Sequence, residues 1–187
     1  ATLELKEGYA FIPKNEAMSI LNAIGNPTSD DLIGLVGPAD LDLLWYIDIY
    51  FFKTGYISDS DAQSWNPDEI LEDIKYLTEE GNKEIDQRNL SKLEVLGWIK
   101  APNYDPKTHE LTWSISLKET LDGKESLTTN LQIRKLGRQG YFSVLLVSEQ
   151  KDLELNLSHI NSIIDGTQFS PGKSHSDYVL GDKLAGY

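Results

Sequence analysis

The sequence LLWYIDIYFF at residues 43–52 decides the fold of this chain. It is rich in aromatic and β-branched residues, which is typical of a central strand that is buried on both faces. Asp48 is its single charged residue. Because a strand that is apolar on both faces needs cover on both sides, the segment predicts a sheet with helices packed on each face.

Three segments show apolar residues at helical spacing, near residues 15–24, 67–88 and 152–165. Asn15 is the expected cap of the first helix. The second begins with Asn66 as cap and Pro67 in the first position, a strong helix-start signal. Its apolar stripe passes through Gly81, which we interpret as a close-packing point.

The second half of the chain is rich in strand signals. Residues 111–117 alternate strictly between apolar and polar side chains, as in a half-buried strand. Turn signals at 103–106, Asp122-Gly123 and 137–140 separate about four strands, which predicts an antiparallel meander. The sequence therefore predicts an α+β fold. We expect one domain spanning residues 1–187, a mainly antiparallel sheet of six to eight strands with three helices packed on it.

The charge and composition of the chain exclude a nucleic-acid partner and any chemistry that needs cysteine. The 187 residues hold 30 acidic and 17 basic side chains, a formal charge of −13. Such a balance repels phosphate backbones, so we expect no nucleic-acid partner. The absence of cysteine excludes disulfides and thiolate chemistry. Residues 28–80 carry most of the excess charge, which indicates a solvated acidic face or a surface for a cation.

Asp59 and Asp61 stand two residues apart in an acidic loop and are candidate calcium ligands, with Asp48 as a possible third. The pattern departs from a calcium-binding loop, because Gln63-Ser64-Trp65 follows where further oxygen ligands and a glycine belong. The favoured interpretation is that these aspartates satisfy local backbone amides.

Histidines offer no metal motif, because His109, His159 and His175 do not stand at ligand spacing. His175 lies beside Ser174, Ser176 and Asp177, the residue types of a hydrolytic triad, but adjacency in sequence is not triad geometry. We therefore predict no catalytic residue, no metal and no cofactor.

Among the four tryptophans, Trp65 alone lies outside the predicted strands, and it is a candidate, with the tyrosines of the C-terminal tail, for stacking on a sugar or peptide. The candidate surface site taken together consists of Asp59, Asp61, Trp65, His175 and Asp177.

Six short motifs occur in a characteristic order along the whole chain: GYAFI at 8–12, GNP at 25–27, GYI-D-DA at 55–62, GW with PNYD at 97–105, LGR at 136–138, and GDKLAGY at 181–187. Together they resemble a bacterial family of predicted membrane-anchored proteins of unknown function. The order of sheet and helices is also similar to the α/β/α sandwich of PsbP and Mog1 proteins.

The family resemblance implies a location and no chemistry. Family members begin with a secretory signal and carry transmembrane helices after the last motif. This chain then corresponds to an extracytoplasmic domain, excised from a longer precursor that is anchored to the cytoplasmic membrane, and it contacts the membrane only through a tether outside this chain.

Two functions remain open. The first is a non-enzymatic binding or interaction module, whose partner is an envelope protein or a small ligand. The alternative is a cell-envelope hydrolase that uses carboxylates of the acidic stretch 28–80, such as Asp48, Asp59 or Asp61.

Overall fold

A seven-stranded antiparallel sheet forms the centre of the protein in the computed structural model, which describes residues 1–26, 28–39, 45–85 and 90–185. The strands are β1 (Thr2–Leu3), β2 (Tyr9–Pro13), β3 (Leu32–Pro38), β4 (Trp45–Phe52), β5 (Lys92–Asp105), β6 (Glu110–Leu121), β7 (Lys124–Leu136), β8 (Tyr141–Glu149) and β9 (Thr167–Gln168). The large sheet has the order β2-β3-β4-β8-β7-β6-β5, and β1 pairs separately with β9.

Helices pack on both faces of the sheet, as the segment 43–52 predicts. They are α1 (Lys14–Ala23), α2 (Asp59–Gln63), α3 (Pro67–Ile85) and α4 (Leu153–Gly166). Helix α4 packs on β8 and β7, and we call that side the α4 face. Helix α1 packs on β3 and α3 on β5 on the opposite side, which we call the α1/α3 face. The result is an α+β sandwich of three layers.

The α4 face holds the continuous core. Alternate residues of β4, β7 and β8 point to this side, so that one row of apolar side chains from each strand meets the helix. The buried members are Val36, Trp45, Ile47, Ile49, Leu131, Ile133, Phe142, Val144 and Leu146 from the sheet, with Ile160, Ile163 and Ile164 from α4.

The α1/α3 face is covered only toward its two edges. Ala17 and Leu21 of α1 pack on β3 at one edge, and Leu71 and Ile74 of α3 pack on the apolar row of β6 toward the other. That row is the alternating segment 111–117, and its four apolar side chains are buried as predicted. The central strands between these edges carry mostly polar side chains on this face, with Leu145 and Val147 of β8 among them.

The structure corrects two predictions about the helices. Helix α1 begins at Lys14 and follows Pro13, whose extended backbone makes the N-cap without a side-chain bond, so Asn15 lies inside the first turn. Gly81 is not a close-packing point, because a Cβ atom there meets nothing within 4 Å. The Asn66 cap is confirmed, since its side-chain oxygen accepts from the Asp68 amide at 3.0 Å. The predicted end of this helix at 86–88 lies outside the described residues.

The meander of β5 to β8 is confirmed, and one of its turns is displaced. Strand β5 continues to Asp105 through register shifts after Val95, Trp98 and Lys100, so the turn lies at 106–109 and not at 103–106. The Asp122-Gly123 turn is confirmed as a two-residue hairpin, with φ of 50° and 75°. Positive φ at both central residues is the requirement of this tight turn, which glycine meets without steric cost.

The C-terminal segment is fastened along the loop that precedes α2. The Tyr56 amide donates to Lys183 O and the Ala185 amide to Tyr56 O, both at 2.8 Å. Gly55 permits this approach, because its φ is +113° and a Cβ atom would lie 2.8 Å from the Leu184 carbonyl. Arg138 adds a bidentate pair with Asp182 at 2.7 and 2.9 Å. The tail therefore packs as part of the domain.

No helix among the described residues is both long and apolar enough to span a lipid bilayer.

Candidate functional site

A cavity of about 430 Å³ opens on the α1/α3 face, over the central strands and between the end of α1 and the start of β5. We call it the Asp48 cavity. Where the sheet forms the floor, polar side chains such as Asn130 and Gln132 of β7 and Ser143 of β8 lie beside Leu145 and Val147 of β8. Gln132 Nε2 donates to Ser143 Oγ at 2.9 Å and to Val144 O at 3.0 Å, so these groups are held in place.

Asp48 itself is the buried acid of this cavity, with only 8% of its surface exposed. Burial disfavours the charged carboxylate and raises the pKa of Asp48 to about 7, although a backbone hydrogen bond from Leu145 opposes the shift. Nearby, Tyr46 accepts a hydrogen bond from Asn26 Nδ2 at 2.8 Å. Near neutral pH the Asp48 carboxyl can therefore both donate and accept a proton.

A second cavity, of about 640 Å³, lies on the same face between β6, β7 and the chain that runs from α2 into α3. We call it the Arg134 cavity. The Arg134 guanidinium lies over three aromatic rings, with its carbon 4.8 Å from the Trp113 centroid, 5.1 Å from Tyr141 and 5.3 Å from Trp65. Cation–π attraction to these rings favours the charge at this position.

Arg134 has no carboxylate partner among the described residues, and its Nε has no hydrogen-bond acceptor. Burial lowers the pKa of Arg134, yet an arginine stays charged in proteins. Acidic side chains of α2 and α3 lie around the same cavity, namely Asp61, Glu69 and Asp73. The cavity therefore combines a caged, unpaired cation with carboxylates at its lining.

A third constellation joins the start of α2 to the β5–β6 turn and the tail. Asp59 Oδ1 accepts a hydrogen bond from Tyr104 at 2.6 Å and lies 3.2 Å from His109 Nδ1. His175, which is buried, donates from Nε2 to Ile57 O at 2.8 Å and lies 3.8 Å from the same Asp59 oxygen. The Tyr104 hydrogen bond, together with His109 and His175, holds the pKa of Asp59 below its usual value.

Asp59, His109 and His175 are the donor types that a divalent transition metal takes, and one donor atom of each lies within 4.8 Å of the others. The ring geometry does not fit a shared ion. The two imidazoles stack at 4.0 Å with an interplanar angle of 27°, and a metal bound by both must lie in both ring planes. Nε2 of His175 is also committed to Ile57 O. The cluster fits a hydrogen-bonded fastening of the tail, which the rings of Tyr56 and Tyr178 extend by stacking.

The structure distributes the residues singled out from sequence over three places. Asp59 and His175 meet in the fastening cluster, whereas Asp61 and Trp65 line the Arg134 cavity. Asp177 belongs to a local cap, where it accepts from the Ser174 amide at 2.9 Å and from the Ser174 hydroxyl. No hydrogen bond between Asp177 and His175 is found in the described structure, so the residues of the triad hypothesis do not assemble.

The two aspartates predicted to satisfy local backbone amides have other partners in the structure, one local and one distant. Asp61 is engaged locally, since its amide donates to the Ser58 cap and its carboxylate accepts from the Ser58 hydroxyl at 2.7 Å. Asp59 instead takes partners from distant strands and turns. Sequence reasoning missed Tyr104 and Arg134 and assigned no role to His109. One available signal was that Arg134 continues the polar row of Asn130 and Gln132 on β7.

Comparison with one solved structure supports the architecture. The cyanobacterial PsbP protein of Synechocystis sp. PCC 6803 aligns with a TM-score of 0.55 at 6% identity, over 90% of this chain and 85% of that one. At this identity the similarity shows the fold alone, and it confirms the expected PsbP-type arrangement. LpqN, described as involved in cell envelope biogenesis of Mycobacterium tuberculosis, aligns with a TM-score of 0.40 at 14% identity, over 88% of this chain and 79% of LpqN.

No curated protein matches the chain in sequence. The family resemblance that the six motifs indicate is confirmed, because a model of one family matches residues 1–187. The chain belongs to the family described as protein of unknown function, DUF2167.

Proposed function

We propose that the domain is a non-enzymatic binding module that faces away from the cytosol and is anchored to the cytoplasmic membrane through a segment outside this chain. The resemblance to predicted membrane-anchored proteins supports the location. The partner is an envelope protein or a small ligand that enters the cavities of the α1/α3 face.

The observation that carries this proposal is the polar floor of that face. Asn130, Gln132 and Arg134 on β7, with Ser143 on β8, occupy the middle of the sheet, where apolar side chains pack on the opposite face. Polar groups at such positions give up the stabilisation that apolar packing would supply. Polar side chains in a concave region, at positions where a sheet normally carries packed apolar side chains, are the usual mark of a binding site.

Photo-crosslinking in intact cells tests the proposal. A benzophenone amino acid in place of Ser91, at the edge of the Asp48 cavity, is expected to capture a partner. The matched control replaces Leu155, which is 74% exposed on α4, and is expected to capture nothing specific. Equal capture at both positions, or none at either, would contradict binding of a cellular partner at the Asp48 cavity.

An envelope hydrolase is the second candidate, and the properties of Asp48 favour it. A carboxyl with a pKa of about 7 inside a cavity is suited to general acid chemistry. A pair of carboxylates is not formed by the residues considered from sequence, because Asp48, Asp59 and Asp61 have different surroundings. If the purified domain hydrolysed an ester, peptide or glycan and the Asp48→Asn variant did not, the hydrolase would replace the binding module as the proposed function.

The location has its own test at the Asp122-Gly123 hairpin, an exposed turn that tolerates insertion. Alkaline phosphatase inserted there in the full-length protein is expected to be active. Fluorescence of green fluorescent protein at the same point, without phosphatase activity, would overturn the extracytoplasmic assignment.

A further inference from the structure

We propose that the Arg134 cavity binds a small zwitterion, an amino acid or short peptide whose α-carboxylate pairs with Arg134 and whose ammonium faces the acidic lining. This inference rests on the proposed binding function and names the chemistry of one ligand site on the α1/α3 face.

The need for a carboxylate follows from the unpaired guanidinium. Arg138, the other arginine that the structure describes, is paired in bidentate fashion with Asp182. Arg134 is surrounded by Trp65, Trp113 and Tyr141 and has no anion beside it in the described chain. A planar guanidinium presents parallel N–H donors that match the two oxygens of a carboxylate. The rings also restrict the rotation of the side chain, so the donors are already oriented for a ligand.

The acidic lining decides between kinds of anion. Glu69 and Asp73 stand one helical turn apart on α3, and Asp61 lies at the α2 side of the same cavity. Glu69 is held by a hydrogen bond from Asn66 Nδ2 at 3.1 Å. Three carboxylates oppose a phosphate dianion, whereas they attract an ammonium group. A ligand that carries one carboxylate and one ammonium satisfies both ends of the site.

The walls and the size favour an apolar side chain on that ligand. Trp65 and Trp113 form aromatic surfaces, and Ile70, Ile74 and Leu77 add an aliphatic side from α3. Leu77 is 67% exposed, a high value for a leucine that lines a cavity. The volume of about 640 Å³ lies within the range of about 300–1,000 Å³ for small-molecule sites. A dipeptide with one aromatic residue is therefore a suitable probe.

Isothermal titration with the dipeptide alanyl-phenylalanine tests the chemistry on the wild-type domain. We expect saturable binding, weakened at least tenfold when the carboxylate is amidated and at least tenfold when the amine is acetylated. Binding of free phenylalanine at equal affinity identifies an amino-acid site, and preference for the dipeptide identifies a peptide site, both in agreement with the proposal. Absence of binding at millimolar concentration, or equal binding of the amide, overturns it.

Variants then locate the site. Arg134→Gln is expected to abolish binding, and Glu69→Gln with Asp73→Asn to weaken it several-fold. Arg138→Gln is the matched control, because it removes an arginine outside the cavity and is expected to bind normally. If Arg134→Gln does not fold, the wild-type domain is titrated with the dipeptide while the NMR signals of the Trp65 and Trp113 indoles are followed. Unchanged signals would refute the site.

The two proposals fail separately. If the dipeptide does not bind but crosslinking from Ser91 captures a specific partner, the binding module stands and only the zwitterion site is refuted. If crosslinking from Ser91 captures nothing but the dipeptide binds as expected, the cellular partner is refuted and the Arg134 site stands.

Discussion

The two faces of the same sheet differ in how their middle is filled. On the α4 face, Ile160 and Ile163 lie fully buried against apolar residues of β4 and β8. On the α1/α3 face, β4 presents Asp48 and β7 presents Gln132 and Arg134 toward two cavities. One face therefore supplies the hydrophobic stabilisation of the fold, and the other leaves polar groups available to a ligand.

The comparison also separates two uses of charged side chains. Arg138 and Asp182 pair with each other and hold the tail, and Asp59 is satisfied by Tyr104 and His109. Asp48 and Arg134 lack such ionic partners among the described residues, and both line cavities on the α1/α3 face. Charge that is paired supports structure here, and charge that is desolvated without a partner marks the candidate sites.

The largest effect is expected from the α4 face. Ile163→Ala removes a fully buried side chain and is expected to lower the free energy of unfolding by about 2–5 kcal/mol, through lost burial and a residual cavity. Urea denaturation followed by tryptophan fluorescence measures the change. Leu155→Ala on the exposed side of α4 is the control, with an expected change within about 0.5 kcal/mol. Equal effects at both positions would contradict the assignment of the core.

The next effect concerns Asp48 and depends on pH. The folded pKa of about 7 exceeds the ordinary value of 3.8, so between about pH 4 and 7 the folded state binds a proton that the unfolded state has released. Stability from this group is therefore complete below pH 4 and falls as pH rises to 7, by up to about 4 kcal/mol.

Asp48→Asn removes that titration, so the variant is expected to gain stability relative to wild type as pH rises through this window. Urea denaturation of both proteins at pH 4, 6 and 8 measures the difference. A difference that does not vary with pH would show that Asp48 is charged throughout, as in an open, solvated site.

The smallest effect is expected from the floor of the α1/α3 face. Gln132→Leu replaces a polar side chain at the centre of the sheet, and the change in the free energy of unfolding is expected to stay within about 1 kcal/mol. Crosslinking from Ser91 is expected to decrease in the same variant. A large loss of stability without any change in crosslinking would make Gln132 a structural residue and weaken the contrast between the two faces.

Much of the architecture could be predicted because it depends on neighbours in sequence. The burial of residues 111–117 follows from an alternation of period two, and the Asp122-Gly123 hairpin follows from backbone preferences of two adjacent residues. The cap of α3 by Asn66 is equally local. The prediction for Gly81 is wrong because it depended on residues distant in sequence. Helical spacing shows which side chains share a face, but it does not show whether another element packs against that face.

The sequence by itself determined the class of fold and the antiparallel meander, because periodicity and turn chemistry are properties of nearby residues. It also determined the family, because the order of the motifs is a property of the linear chain. Only the tertiary structure decided the candidate sites. Asp59 meets Tyr104 across 45 positions, and His175 meets the Ile57 carbonyl across 118. The cage of Arg134 likewise joins Trp65 to β6 and β8. Burial, desolvation and pairing depend on which distant groups come together, and packing of the whole chain settles that.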